Sequence, residues 1–300
     1  MVETSETWET HPELQRRAVR DSGLVQFITT HALRRAWLLS VLSGLYAIVA
    51  VFFPWHDEID LPFEALLTFA VGLMLSVRVR AAYERWWEGR TQWGILVNTS
   101  RNLAVKFAEL SDATEEERRS LQRDLQAFAR SLKGHLRGGV QLQWLDGFGS
   151  APEHPRHVPA HVAARIYRLA RRLLEEKRLS EISFLAIDSD ARALLNVCGA
   201  CERIKNTPML PSFRAFLRFA MTLLIASLPW RLADDLGWWT VPSIVLATFL
   251  IWGGEAVADA AEHPFGTERD DLDLEAFCLG IDQVTAEVLG VPPTRSAETA

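Results

Sequence analysis

Cysteine is scarce in this chain: three in 300 residues, at Cys198, Cys201 and Cys278. So few exclude a disulfide framework and point to a reducing, cytoplasmic setting. Residues 1–23, MVETSETWETHPELQRRAVRDSG, lack the apolar core and small-residue cleavage site of a signal peptide. No internal repeat or low-complexity tract is present. An excess of positive charge is missing too, since the net charge is −6, which argues against a general nucleic-acid binder. The eight histidines make no H-E-x-x-H motif, so a zinc enzyme has no support; His154 and His157, in a Pro-rich loop, are expected at the surface.

Apolar residues, by contrast, are plentiful: 49% of the chain is hydrophobic and eleven residues are Trp. Both features fit a chain that lies partly in lipid, where Trp collects at the interfaces. Residues 37–55, WLLSVLSGLYAIVAVFFPW, carry no charge and have Trp at both ends, enough to cross a hydrocarbon core of about 30 Å as a helix. After a short acidic connector, HDEID, comes LPFEALLTFAVGLMLSV, a second span over about 61–78. Two more follow, at about 213–231 and 238–256. The third contains Arg214 and Arg218, which can snorkel to headgroups, and Pro229, expected to end or kink it.

The region 79–212 reads as soluble helices. Leu121, Leu125, Phe128, Leu132 and Leu136 mark one helical face, and Val162, Ile166, Leu169 and Leu173 another. Between them, residues 138–159 read as a loop by their Gly and Pro content. The tail, 257–300, is acidic and polar. Arg16, Arg17, Arg20, Arg34 and Arg35 precede the first span, Arg78, Arg80 and Arg85 follow the second, and Arg214 and Arg218 precede the third. The hairpins HDEID and RLADDLG are acidic. The positive-inside bias therefore places both termini and the 79–212 region in the cytoplasm.

The second span has no stop. It runs on into AAYERWWEGRTQWGILVNTSRNL (81–103) without a Pro or a turn cluster, so one helix is expected to pass from lipid into water. Phe69, Leu73 and Val77 recur at i, i+4 and i+8, and Arg80 and Glu84 lie within about 20° of the centre of that stripe. Two readings stay open: the stripe packs on neighbouring helices, or copies of it surround a pore whose apolar band gates by dewetting. Further on, Tyr83, Trp87, Arg90 and Gly94 share one face, and Trp86, Trp93 and Val97 another.

The stretch AAYERWWEGRTQWGILVNTSRNLA resembles the signature of the bestrophin family in its bacterial branch. The resemblance continues at CERIKNTPMLPSFR, at LPW and at EHPFGTERDDLDL, and covers roughly residues 25–290. It implies an all-α membrane protein of the inner membrane: a homopentameric ion channel with four transmembrane helices per subunit and a cytoplasmic helical region. The second membrane helix would line the pore, with Phe69, Leu73 and Val77 as its hydrophobic neck and Ile182 at a second, cytoplasmic aperture. The exposed aromatics of 83–93 would then join subunits and cytoplasmic helices. Val77 stands where many relatives carry Phe.

Glu268 and Asp271 fall at ligand-type positions of the calcium clasp of animal relatives, with carboxylates suited to a hard cation. Arg269 interrupts that acidic run, and a solvated acidic turn is the competing reading. Chloride is the ion expected from the family, with sodium or potassium the alternative; Arg80 favours anions and Glu84 cations. A non-conducting membrane scaffold is a rival of another class. A thiol oxidoreductase rests on Cys198-Gly-Ala-Cys201 alone, and both sulfurs there fall on the apolar stripe of an amphipathic helix, as packing cysteines do.

Overall fold

The computed structural model describes residues 31–53, 63–141, 145, 148 and 155–291. Arg16, Arg17 and Arg20, the HDEID connector, residues 54–55 and 61–62 of the expected spans, and His154 lie outside them. The described residues are helical: α1 (His31–Phe52), α2 (Phe63–Leu110), α3 (Glu115–Arg137), α4 (Val158–Glu175), α5 (Glu181–Asn206), α6 (Pro211–Leu236), a short 3-10 turn (Gly237–Trp239), α7 (Thr240–Ala261) and α8 (Leu274–Leu289). The only β pairing among them is an isolated bridge between Ser111 and Leu179. The chain forms two compact units, Met1–Ala81 with Leu210–Ala260, and Ala82–Met209 with Ala261–Ala300.

The first unit holds the apolar helices. By length and composition, Leu33–Phe52, Glu64–Leu110 and Pro211–Ala261 can each cross a membrane. The last stretch is not one rod. Arg218 near its start is 3.1 Å from Glu255 near its end, so α6 and α7 run antiparallel about the Gly237 turn. Gly237 has φ 52°, ψ −126°, a conformation that side chains disfavour. Pro229 sits inside α6, which runs on to Leu236, so the helix does not end at the proline and most of the expected RLADDLG hairpin is helical. The turn is confined to residues 237–239.

Small and hydroxylated residues let these helices approach. A Cβ on Gly44 would come within 2.7 Å of Val245 Cγ2. Ser43 Oγ donates to Thr248 Oγ1 at 2.8 Å, tying α1 to α7. Val71 of α2 packs with Leu217, Ala220, Met221 and Leu224 of α6.

The second unit is a helical bundle with an apolar core in which Trp93, Leu96, Leu103 and Phe107 of α2 meet Leu121, Leu125, Phe128 and Leu132 of α3. Its helix ends are closed by side chains. Thr114 and Glu117 form a capping box at α3, Ser180 caps α5 and Asp273 caps α8. His157, expected as a loop surface residue, caps α4 by accepting the Ala160 N–H. Val158 and Pro159 open α4 rather than close the loop, since Pro costs nothing in a first helical turn. Nor is the C-terminal region a polar tail: Leu274, Cys278, Ile281 and Leu289 of α8 lie buried in this core.

Candidate conduction site

On α2, Phe69, Leu73 and Val77 are 70%, 56% and 49% exposed. Arg80 and Glu84 are exposed along the same line. Among the described residues, no helix covers the stripe. The opposite side of the helix is occupied: Val71 is buried, with Leu67, Met74 and Leu75 packed beside it. α2 thus presents one apolar band, followed by a positive and then a negative position, that no described helix covers.

The helix does continue without interruption for 48 residues, more than twice the roughly 20 that a crossing needs. Its two aromatic faces differ in burial, though Tyr83 also stacks on Trp86 across them. Trp93 is buried, and Trp86 and Val97 pack on the core of the second unit; Trp86 Nε1 also donates to Asp270 O at 3.1 Å. Tyr83 and Trp87 stay exposed and stack on one another. Arg85 donates to the carbonyls of Ile204 and Thr207, which end α5, complementing the negative end of that helix.

An ionic cluster in the first unit escaped the sequence reading. Arg78 is fully buried, with Nε 3.3 Å from Glu255 and a second nitrogen 3.6 Å from Asp259. Arg214 reaches Asp259 at 3.5 Å, and Arg218 reaches Glu255 at 3.1 Å. The cluster sets three arginines against two carboxylates. Instead of only snorkelling, Arg214 and Arg218 pair across the turn. A signal existed: Arg214/Arg218 and Glu255/Asp259 are both i, i+4 pairs, of opposite sign, on helices joined by a short turn. Arg78 itself is about 200° around the helix from Arg80, which puts it on the packed side.

In the second unit, Ile182 projects from the first turn of α5 and is 82% exposed, with Leu185 exposed beside it. Glu268 and Asp271 meet in a turn: the Glu268 N–H donates to Asp271 Oδ2 at 2.6 Å, and the Asp271 N–H donates to Glu268 O at 3.2 Å. Burial pushes the Asp271 carboxyl up from its ordinary range. A Cβ at Gly266 would crowd that carboxylate, which would have to shift to admit it. The carboxylate of Asp271 is therefore engaged in shaping the turn. Cys198 and Cys201 are buried, and burial pushes both thiols up to about 12, which leaves them protonated and unreactive near neutral pH.

Residues 18–287 match the family described as Bacterial/Fungal Bestrophin protein. The chain is 34% identical over 232 residues to a voltage-dependent anion channel-forming protein of Nostoc, covering 73% of this chain and 76% of that one. It is 30% identical over 275 residues to one of Escherichia coli K12, covering 84% and 90%. Its fold is similar to that of a bacterial bestrophin homologue from Klebsiella pneumoniae, with TM-score 0.76 and 26% identity over 86% of this chain and 98% of that one.

Proposed function

This chain belongs to the bacterial/fungal bestrophin family, and on that premise we propose that it is a passive, pore-forming channel of the cell membrane that conducts anions, chloride first among them. In this reading α1, the first part of α2, α6 and α7 make four crossings of the inner membrane, with both termini on the cytoplasmic side. Several copies surround the pore, because a single subunit has one stripe and cannot enclose a path; five is the number that the family resemblance implies. Phe69, Leu73 and Val77 form the neck, Ile182 rings a second aperture, and no catalytic group or cofactor takes part. Tyr83 and Trp87 face the neighbouring subunit.

One observation carries this reading: the α2 stripe is exposed within its own chain and passes from apolar to charged along a single line. Copies of the stripe around an axis would set Arg80 and Glu84 as rings of charge just beyond the apolar band, where the helix leaves the lipid. The curated relatives, named as anion channel-forming proteins, support the same ion class. Selectivity follows from the order along the axis. Arg80 lies about one turn beyond Val77 and Glu84 one turn further, and charges in a narrow, poorly screened path act more strongly than at a surface.

The test is a reversal potential in asymmetric KCl, with purified protein in a planar bilayer. Wild type should favour chloride, Arg80→Ala should lower the anion-to-cation permeability ratio, and Glu84→Ala should raise it. Wild-type preference for potassium, with no response to Arg80→Ala, sinks the anion assignment. Absence of any conductance leaves a membrane scaffold instead.

A further inference from the structure

We propose that His135, His157 and Glu202 form a binding site for a divalent transition metal, zinc being the first to test. The three side chains come from three elements of the second unit: the last turn of α3, the N-cap of α4 and the end of α5. His135 Nε2 lies 2.7 Å and His157 Nε2 2.9 Å from the same atom, Glu202 Oε1. The donor atoms of all three lie within 4.8 Å of one another, the one such trio among the described residues. Each side chain is half-buried, so the site is reachable from solvent yet shaped by its surroundings. The imidazole rings stand 4.9 Å apart, tilted by 38°.

Two imidazoles and one carboxylate are the donor set of an open zinc site, with the fourth position left to water. Calcium and magnesium prefer six or more oxygens, which this trio does not supply. Tetrahedral bonds of about 2.0–2.1 Å set donors roughly 3.3 Å apart, so the nitrogens need to move from the carboxylate oxygen by about half an ångström. His135 is steadied from behind, as Lys205 Nζ donates to its carbonyl at 3.0 Å.

The metal competes with one existing bond. His157 Nδ1 accepts the Ala160 N–H at 3.1 Å, which fixes the proton on Nε2 and makes that nitrogen a donor to Glu202. Binding at Nε2 moves the proton to Nδ1, and the ring must then turn away from the Ala160 N–H. In exchange, one ion joins donors 67 and 45 residues apart and ties the ends of α3, α4 and α5 together. Bound metal then stabilises the folded unit by mass action. Neither the site nor its test depends on whether the chain conducts.

The experiment uses full-length protein in detergent, freed of any histidine tag and stripped with a chelator, titrated with Co(II) as a spectroscopic stand-in. The expected result is a tetrahedral d–d absorption that saturates at one ion per chain, is erased by Zn(II), and is untouched by excess Mg(II) or Ca(II). His157→Asn removes a ligand while keeping a side chain that caps helices well; Glu202→Gln is the second variant. Each should weaken binding by at least about tenfold, the lower end of what even a supporting partner contributes. Zn(II) should raise the thermal midpoint of wild type and not that of His157→Asn. No saturable d–d signal in wild type, or equal affinity in His157→Asn, overturns the site.

Discussion

Leu42 and Leu125 are the same side chain in helices of 22 and 23 residues, yet one is 60% exposed and the other 1%. The two units use their residues in opposite senses. In the second, Leu, Phe and Ile fill a core, and ion pairs such as Arg119–Glu115 decorate the outside. In the first, Leu38, Val41, Leu42 and Leu45 face outward. Ser40, Thr248, Arg78 and Glu255 are hidden. One set of physical rules gives both results when the solvent changes: water rewards the burial of apolar area, whereas lipid penalises exposed polar groups and is indifferent to exposed Leu. α2 carries the contrast within one helix, its apolar side chains exposed at Leu66, Phe69 and Leu73 and buried at Trp93, Leu96 and Leu103.

The largest expected effect breaks the polar interior of the first unit. Arg78→Ala removes the fully buried cation of the cluster and leaves Glu255 to Arg218 alone and Asp259 to Arg214 and Arg218, and removing one partner of a buried pair costs up to about 3–5 kcal/mol. The variant should fail to give a monodisperse species in detergent, whereas Arg119→Ala, which loses an exposed i, i+4 pair, should change the melting profile by no more than about 1 kcal/mol. Similar melting of the two would mean that Arg78 is not the keystone its burial suggests. A matched pair of apolar truncations then inverts the contrast. Phe128→Ala opens a cavity in the second unit and should cost about 3–5 kcal/mol. Leu42→Ala should cost less than about 0.5 kcal/mol, as for a site without packed neighbours. Thermal unfolding of both in one detergent compares them, and a large loss at Leu42 would point to a partner that covers it.

The exposed stripe of α2 sharpens the comparison further, because exposure to lipid and exposure to a pore predict different outcomes. Replacing Phe69, Leu73 and Val77 together with Ala widens a neck and should raise ion flux from liposomes several-fold without loss of the oligomer. If the stripe instead packs against another copy, each large truncation costs about 2–5 kcal/mol and the assembly falls apart. An intact assembly with unaltered flux rejects the neck.

The sequence made the local features legible. The uninterrupted α2, its stripe, the faces of α3 and α4 and the family motifs all depend on residues a few positions apart, where periodicity speaks directly. Several features were misread or missed, and the three largest are long-range. Arg78 pairs with Glu255 across 177 residues, Glu202 meets two histidines, and α8 completes a core begun 180 residues earlier. Charge density alone made the region of α8 read as a tail, although Leu274, Cys278, Ile281 and Leu289 keep a helical spacing within it. Pro229, by contrast, is local: the proline was expected to end or kink α6, and the helix does not end there but runs on to Leu236. At the α2 stripe, the sequence supplied the order apolar, positive, negative; only the fold showed that no described part of the chain covers it.

The smallest expected effect separates buried from solvated charge within one helix. Asp124 of α3 is buried, with Arg165 Nε 2.9 Å from Oδ1 and the Arg165 guanidinium lying 4.3 Å from the centre of the Phe148 ring. Burial pushes its carboxyl up to about 6, with Arg165 pulling the other way. The unfolded chain binds that proton with a pKa near 3.9, so the folded state holds it more tightly. Ionising Asp124 therefore removes stability as pH rises from about 4 through about 6, and the loss is complete above that. Glu117, near the start of the same helix, behaves oppositely: its bond to Arg178 outweighs burial and lowers its carboxyl to about 2. Its stabilisation is present above about pH 4.5 and is lost as pH falls toward 2. Asp124→Asn keeps an oxygen that accepts the Arg165 N–H and removes only the charge. Its unfolding free energy relative to wild type should grow by about 1–2 kcal/mol between pH 4 and 7, less than the full shift implies because water reaches Arg165. Glu117→Gln should fall below wild type above pH 4.5 and converge with it in acid. If the Asp124→Asn difference stays flat across that range, Asp124 titrates as an ordinary surface carboxylate, and burial within α3 does not set its charge.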